Sequence, residues 1–116
     1  MSSRKDTVDF LLEQLSGIDD VRAKRMFGEF GLYVGDQFVA VVCDDDLFVK
    51  PTPGGRKFFP DVVERPPFAR AKPWLLVPGE RWEEAQWLAR LFVITARELQ
   101  GVQKGKRAQR ILPGRS

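Results

Sequence analysis

The spacing of apolar residues divides the chain into a short helix, a strand-rich middle and a long C-terminal helix. Val8, Leu11, Leu12 and Leu15 recur at helical spacing and predict a helix over 6–15. Asp6 is placed to cap it, because its carboxylate can accept the free N–H groups of the first turn, and Ser16-Gly17 is a natural stop. Phe10 lies roughly opposite that stripe, which leaves it to a neighbouring loop or to solvent. From residue 22 to 50 valines and aromatics dominate and the period shortens. Four strands are predicted near 24–27, 32–34, 38–43 and 47–50, with Gly28, Gly31, Gly35-Asp36 and Asp44-Asp45-Asp46 as punctuation. These gaps are too short for crossover helices, so neighbouring strands should pair antiparallel. The run Val39-Ala40-Val41-Val42 has no polar face, as expected of a central strand covered on both sides.

Residues 51–73 are irregular and carry Pro51, Pro53, Pro60, Pro66, Pro67 and Pro73, with room for one helical turn near 55–59. A fifth strand is predicted over 72–77, where Pro73 suits a strand start. The strongest helix pattern runs over 81–100. Ala85, Leu88, Ala89, Phe92, Ala96 and Leu99 form its apolar stripe, and Gly101 ends it. Trp87 and Ile94 are placed by the same spacing on the far side of that helix, with Glu83, Arg90 and Arg97. The succession predicts an α+β fold: an antiparallel sheet of about five strands flanked by N- and C-terminal helices.

At 116 residues the chain fits one domain, large enough to bury a core without disulfides or metals. The single cysteine, Cys43, excludes an internal disulfide framework. No apolar run follows the basic residues of the N-terminus or approaches the roughly 20 residues of a membrane span. A cytoplasmic protein is therefore expected. The net charge of +3 is unevenly placed. Five basic residues and no acid lie from Lys104 onward, which leaves 14 basic against 16 acidic residues before them. The chain thus divides into a slightly acidic domain over 1–103 and a basic tail over 104–116, expected to be disordered.

The block Arg25-Met26-Phe27-Gly28-Glu29-Phe30-Gly31-Leu32-Tyr33-Val34 resembles the opening signature of the TfoX/Sxy family's N-terminal domain. The hairpin from Phe38 through Asp44-Asp45-Asp46 to Thr52, the segment Ala71-Lys72-Pro73-Trp74 and the helix carrying Trp87-Leu88 are similar to it as well, in the family's order over roughly 6–100. The resemblance implies an α+β fold like that of type III secretion chaperones. It also implies a link to natural competence, where full-length members act as transcriptional co-activators and carry a second, helical domain. This chain is expected to be a stand-alone version of the first domain. The family supplies no catalytic residues and no cofactor.

The residues themselves agree with a non-enzymatic reading. Histidine, the commonest general base and metal ligand, is absent. Cys43 ends a valine-rich strand and reads as a buried, inert thiol. Asp44-Asp45-Asp46 lacks the alternating ligands and central glycine of a calcium loop and reads as a solvated turn, so no metal site is expected. Pro53-Gly54-Gly55-Arg56-Lys57 lacks the spacing and hydroxyl residue of a phosphate loop and reads as a turn into a short helix. Arg22, Lys24 and Arg25 read as the solvated face of an early strand. Phe27, Phe30, Phe48, Phe58, Phe59, Phe68 and Trp74 read as core. Two binding surfaces remain. Trp87 and Ile94, rimmed by Arg90 and Glu83, would form an interface with a protein partner or a second copy unless the 60–73 loop folds over Trp87. Lys104, Lys106, Arg107 and Arg110 could contact nucleic acid through phosphates, although no aromatic residue is interleaved to stack on bases. The leading expectation is a regulatory or protein-binding domain, with nucleic-acid binding through the tail as the alternative.

Overall fold

The computed structural model describes residues 5–26 and 28–115, with side chains described through Gly101. Six strands form one antiparallel sheet in the order β1-β2-β3-β4-β6-β5: β1 (Val21–Met26), β2 (Glu29–Val34), β3 (Gln37–Cys43), β4 (Asp46–Val49), β5 (Val63–Arg65) and β6 (Trp74–Val77). Helices α1 (Lys5–Gln14) and α4 (Ala85–Arg115) contribute to a core on one face, and the short helices α2 (Pro53–Phe58) and α3 (Gly79–Trp82) complete the set. This is the α+β architecture that the sequence predicts, with one strand more.

The core lies between the sheet and the two long helices. Val8, Leu11 and Leu15 from the α1 region meet Leu88, Leu91 and Phe92 of α4 over Leu32, Val39, Val42, Leu47, Val49, Leu75 and Val77. Strand alternation accounts for the choice, since every second residue of β4 and β6 points at the helices. In β3 a bulge lets Val39 and Ala40 both turn inward: Leu32 pairs with Ala40 but Tyr33 with Phe38. Val41 and Cys43 turn to the other face, so the valine run is covered on both sides as expected. Phe10 stands exposed, and the expectation for Phe27 falls outside the described residues.

β5 is a three-residue edge strand with exposed side chains, framed by Pro60 and Pro66; so short a run leaves no hydrophobic pattern. It is held by its ladder to β6, by the forked pairing of Arg56 Nε and Nη2 with Glu64 (2.8 and 3.1 Å), and by Arg65 against Asp46 at 3.6 Å. The helix predicted over 81–100 is divided into α3 and α4. The split is pinned by Trp82, whose indole donates to Val77 O at 3.0 Å and whose carbonyl accepts from Gln14 at 2.8 Å. α4 continues to Arg115, so the expectation of a disordered tail from Lys104 falls on a stretch whose side chains are not described.

Candidate functional site

The expected interface on α4 is the first place to look, and the structure corrects the geometry behind it. Leu91, absent from the expected stripe, is fully buried. At 100° per residue, Trp87 and Ile94 lie about 40° and 60° from Leu91, beside the core rather than opposite it. α2 fills the space above them. Thr52 caps that helix by accepting from Gly55 N at 3.0 Å, and Pro53 opens it, where a missing N–H costs nothing. Its C-terminal end sets Phe58 in a stack with Trp87 at 5.5 Å, and Phe59 edge-on to the indole at 4.9 Å. Arg81 lies over the Trp87 ring at 4.4 Å. Gly54 crosses so close to Ile94 that a Cβ there would sit 2.9 Å from Ile94 Cγ2. The cover is therefore the 53–59 turn, not the 60–73 loop. Arg90 and Glu83 are exposed, and neither joins Trp87 and Ile94 in a hydrogen bond or ion pair among those described. Lys104, Lys106, Arg107 and Arg110 lie on the last turns of α4, beyond the described side chains.

The opposite face of the sheet carries what the sequence pattern concealed. Val41, Cys43 and Phe48 form a second apolar cluster there, with Phe38, Trp74 and Leu76 packed against it. Tyr33 stacks on Phe38 at 5.2 Å, and Phe38 meets Trp74 edge-on at 5.9 Å. Gly31 makes room, since a Cβ at that position would sit 2.9 Å from the Phe38 ring and 2.6 Å from Met26 Sδ. Lys50 lays its ammonium over Phe38 at 4.6 Å, and burial pushes its pKa below the ordinary lysine value. The cluster is only partly roofed. Val63 and Phe68 are 60 % and 54 % exposed, the largest exposures among the described large hydrophobic residues.

Between this face and the proline-rich segment that precedes β6 lies a pocket of about 540 Å³. Met26, Phe30, Phe38 and Val41 line it from the strands, and Pro67, Phe68 and Ala69 from the crossing segment. Glu29, Cys43 and Asp44 line it too. Asp44 and Asp45 form the two-residue turn between β3 and β4, both with positive φ (51° and 63°), the backbone that short hairpins need and that aspartate tolerates. The turn aims Asp44 N–H at Glu29 Oε2 at 3.3 Å, and Thr7 of α1 fastens its other residue by donating to Asp45 Oδ1 at 3.0 Å. Burial first, then the charges of Glu29 and Asp44, push the Cys43 thiol up to about 11. A thiol so placed stays protonated at neutral pH and is a poor nucleophile. Among the described residues no three His, Cys, Asp or Glu side chains gather as a metal-holding group, and no helix is long and apolar enough to cross a membrane.

The pocket was missed because no single segment announces it. Phe38, Val41 and Cys43, and Trp74 with Leu76, are apolar at outward positions. That signal is readable only once the register shows which face each residue takes. Phe68, expected in the core, is instead exposed and lines the pocket.

Fold and pocket together define a small α+β domain whose sheet has one face committed to helices and the other left as an apolar, cavity-bearing surface. The TfoX N-terminal domain model matches residues 13–98, and the chain belongs to that family. It is also similar to an uncharacterized 12.7 kDa protein in the trpE 5′ region of Spirochaeta aurantia. That likeness is 35% identity over 105 residues, covering 90% of each chain.

Proposed function

We propose that the domain is a non-enzymatic regulatory module, acting in the cytoplasm by binding, in the manner that the TfoX/Sxy resemblance implies. The observation that carries this reading is the outer face of the sheet, where half-buried Phe38, Trp74 and Leu76 lie over buried Val41 and Phe48, with an open pocket beside Phe38 and with Val63 and Phe68 exposed. Apolar surface concentrated in this way marks association sites. The chemistry beside it supports binding over catalysis, because the one thiol is held protonated.

The test is complementation. Deleting the gene in its native host should change transcript levels, the full chain should restore them, and a Val63→Asp/Phe68→Asp chain should not. Both residues are exposed, so the pair should remain folded. Full complementation by the double variant overturns the reading. If a chain truncated at Gln103 fails instead, and the intact chain binds duplex DNA with a steep salt slope, the basic tail carries the function.

A further inference from the structure

We propose that the pocket between the outer face of the sheet and the 66–72 segment is a site for a small uncharged apolar molecule, such as a ring system carrying a single hydroxyl. This deepens the binding reading and rests on it for the choice of face.

The cavity, about 540 Å³, lies in the range of small-molecule sites and is too confined for a folded partner. Its sheet wall is pre-formed. Phe30 is buried, with the Arg25 guanidinium on its ring at 5.0 Å, and Phe38 is held by the Tyr33 stack and by Lys50. Met26 adds a thioether, which packs readily against rings. The opposite wall is Pro67 and Phe68. Pro67 is buried, whereas Phe68 leaves 54 % of its surface to solvent, and a ring in the cavity would cover part of it. Beyond Phe68 the chain turns back: Ala71 N–H donates to Phe68 O at 3.2 Å, and Arg70 inside that turn has a φ of 69°. A non-glycine residue held in that region is a strain of the kind that clusters at ligand clamps.

The polar lining sets the charge of the ligand. Glu29 and Asp44 are already engaged within the chain: Asp44 N–H donates to Glu29 Oε2 at 3.3 Å, and neither residue is without a further partner. A ligand ammonium would give up water for carboxylates that other groups hold, which returns little. An anion fares worse. Burial and the charges of Glu29 and Asp44 push the Cys43 thiol up to about 11, and a carboxylate in the same place meets the same burial and the same charges. Cys43 therefore adds a neutral thiol to the lining, and the drive left for a ligand is removal of its apolar surface from water.

Three probes that share one body separate these effects: 3-phenylpropan-1-ol, 3-phenylpropylamine and 3-phenylpropanoate, titrated calorimetrically into the purified full chain. The alcohol should bind, the amine no tighter than the alcohol, and the carboxylate at least about tenfold more weakly, less than the rise of Cys43 from 9.0 to about 11 corresponds to. Phe68→Ala removes one wall and should weaken the alcohol about tenfold. Ala69→Trp fills the cavity and should abolish binding of all three. Both positions are exposed, so both variants should keep the fold. The proposal is overturned if either ion binds tighter than the alcohol, if Phe68→Ala or Ala69→Trp leaves alcohol binding intact, or if the alcohol does not bind at millimolar concentration. If the alcohol does not bind while Val63→Asp/Phe68→Asp still fails to complement, the ligand falls and the regulatory reading stands. If the alcohol binds as expected but the double variant complements fully, the reverse holds.

Discussion

Ile94→Glu decides whether the second apolar side of α4 is covered. Ile94 is half-buried under α2, and Gly54 passes close enough that one added carbon would press on Ile94 Cγ2. Fully burying an isoleucine side chain is worth about 1.5–3 kcal/mol, so losing half of that burial costs about 0.8–1.5 kcal/mol. The new carboxylate stands one turn before Glu98, and a like-charge pair at that spacing adds about 0.2–0.5 kcal/mol. Glu98 already accepts from Gly54 N at 3.1 Å, and repulsion would weaken that bond between α4 and α2. The sum is a loss of about 1–2 kcal/mol. For a domain of this size that lowers the melting temperature by roughly 4–16 °C. Urea unfolding followed by tryptophan fluorescence reads the change directly, because Trp87 sits under the same cover. Ile94→Ala, without the charge, should lose about 1 kcal/mol with the same slope in urea. A glutamate variant within about 0.5 kcal/mol of wild type would behave as a surface substitution, and α2 would not be the cover described.

Four further outcomes follow from single positions. Gly54→Ala should destabilise by about 1 kcal/mol in urea unfolding, because the new methyl would sit 2.9 Å from Ile94 Cγ2 and displace the Glu98 carboxylate that accepts from Gly54 N; a gain, as for an ordinary glycine-to-alanine change in a helix, would refute that close approach. Cys43 should be alkylated by iodoacetamide at pH 8 at least tenfold more slowly in the folded chain than in urea, since its thiol is raised from the ordinary 9.0 to about 11. The same shift favours the folded state below pH 9 and is lost between pH 9 and about 11, so Cys43→Ser should flatten the decline in stability over that window. Arg70, exposed and held at φ 69°, should give about 1 kcal/mol of stability on replacement by glycine; no gain in thermal midpoint would mean the segment is not held in that conformation.

Much of the fold was legible because it rests on local pattern. The β2–β3 and β3–β4 hairpins are marked by turn residues, and the buried β3 by an unbroken valine run. α1 shows its stripe of Val8, Leu11 and Leu15. β5 was illegible because a three-residue edge strand between prolines buries no side chain and leaves no period. The α3–α4 break was hidden for a related reason: hydrogen bonds of Trp82 to distant Val77 and Gln14 set it, not a helix-breaking residue.

The placement of Trp87 and Ile94 differs for a more instructive reason. A stripe through Ala85, Leu88, Ala89, Phe92, Ala96 and Leu99 leaves Trp87 and Ile94 on the far side, and a stranded tryptophan invites a cover or a partner. The structure buries Leu88, Phe92 and Ala96 of that stripe and adds Leu91 and Thr95, with the Thr95 hydroxyl satisfied within the helix by Leu91 O at 2.8 Å. A buried threonine that bonds its own helix counts as a core position, and with it the arc widens to meet Trp87. The chain then supplies the cover itself: Thr52 starts a helix of six residues, two glycines let it approach, and Phe58 and Phe59 close over the indole. What sequence alone left open between a partner and a covering loop is an internal contact, between Phe58 and Trp87, 29 residues apart in the chain. On the other face of the sheet lie Val63 and Phe68, the most exposed of the described large hydrophobic residues, with no such internal cover supplied by a six-residue helix.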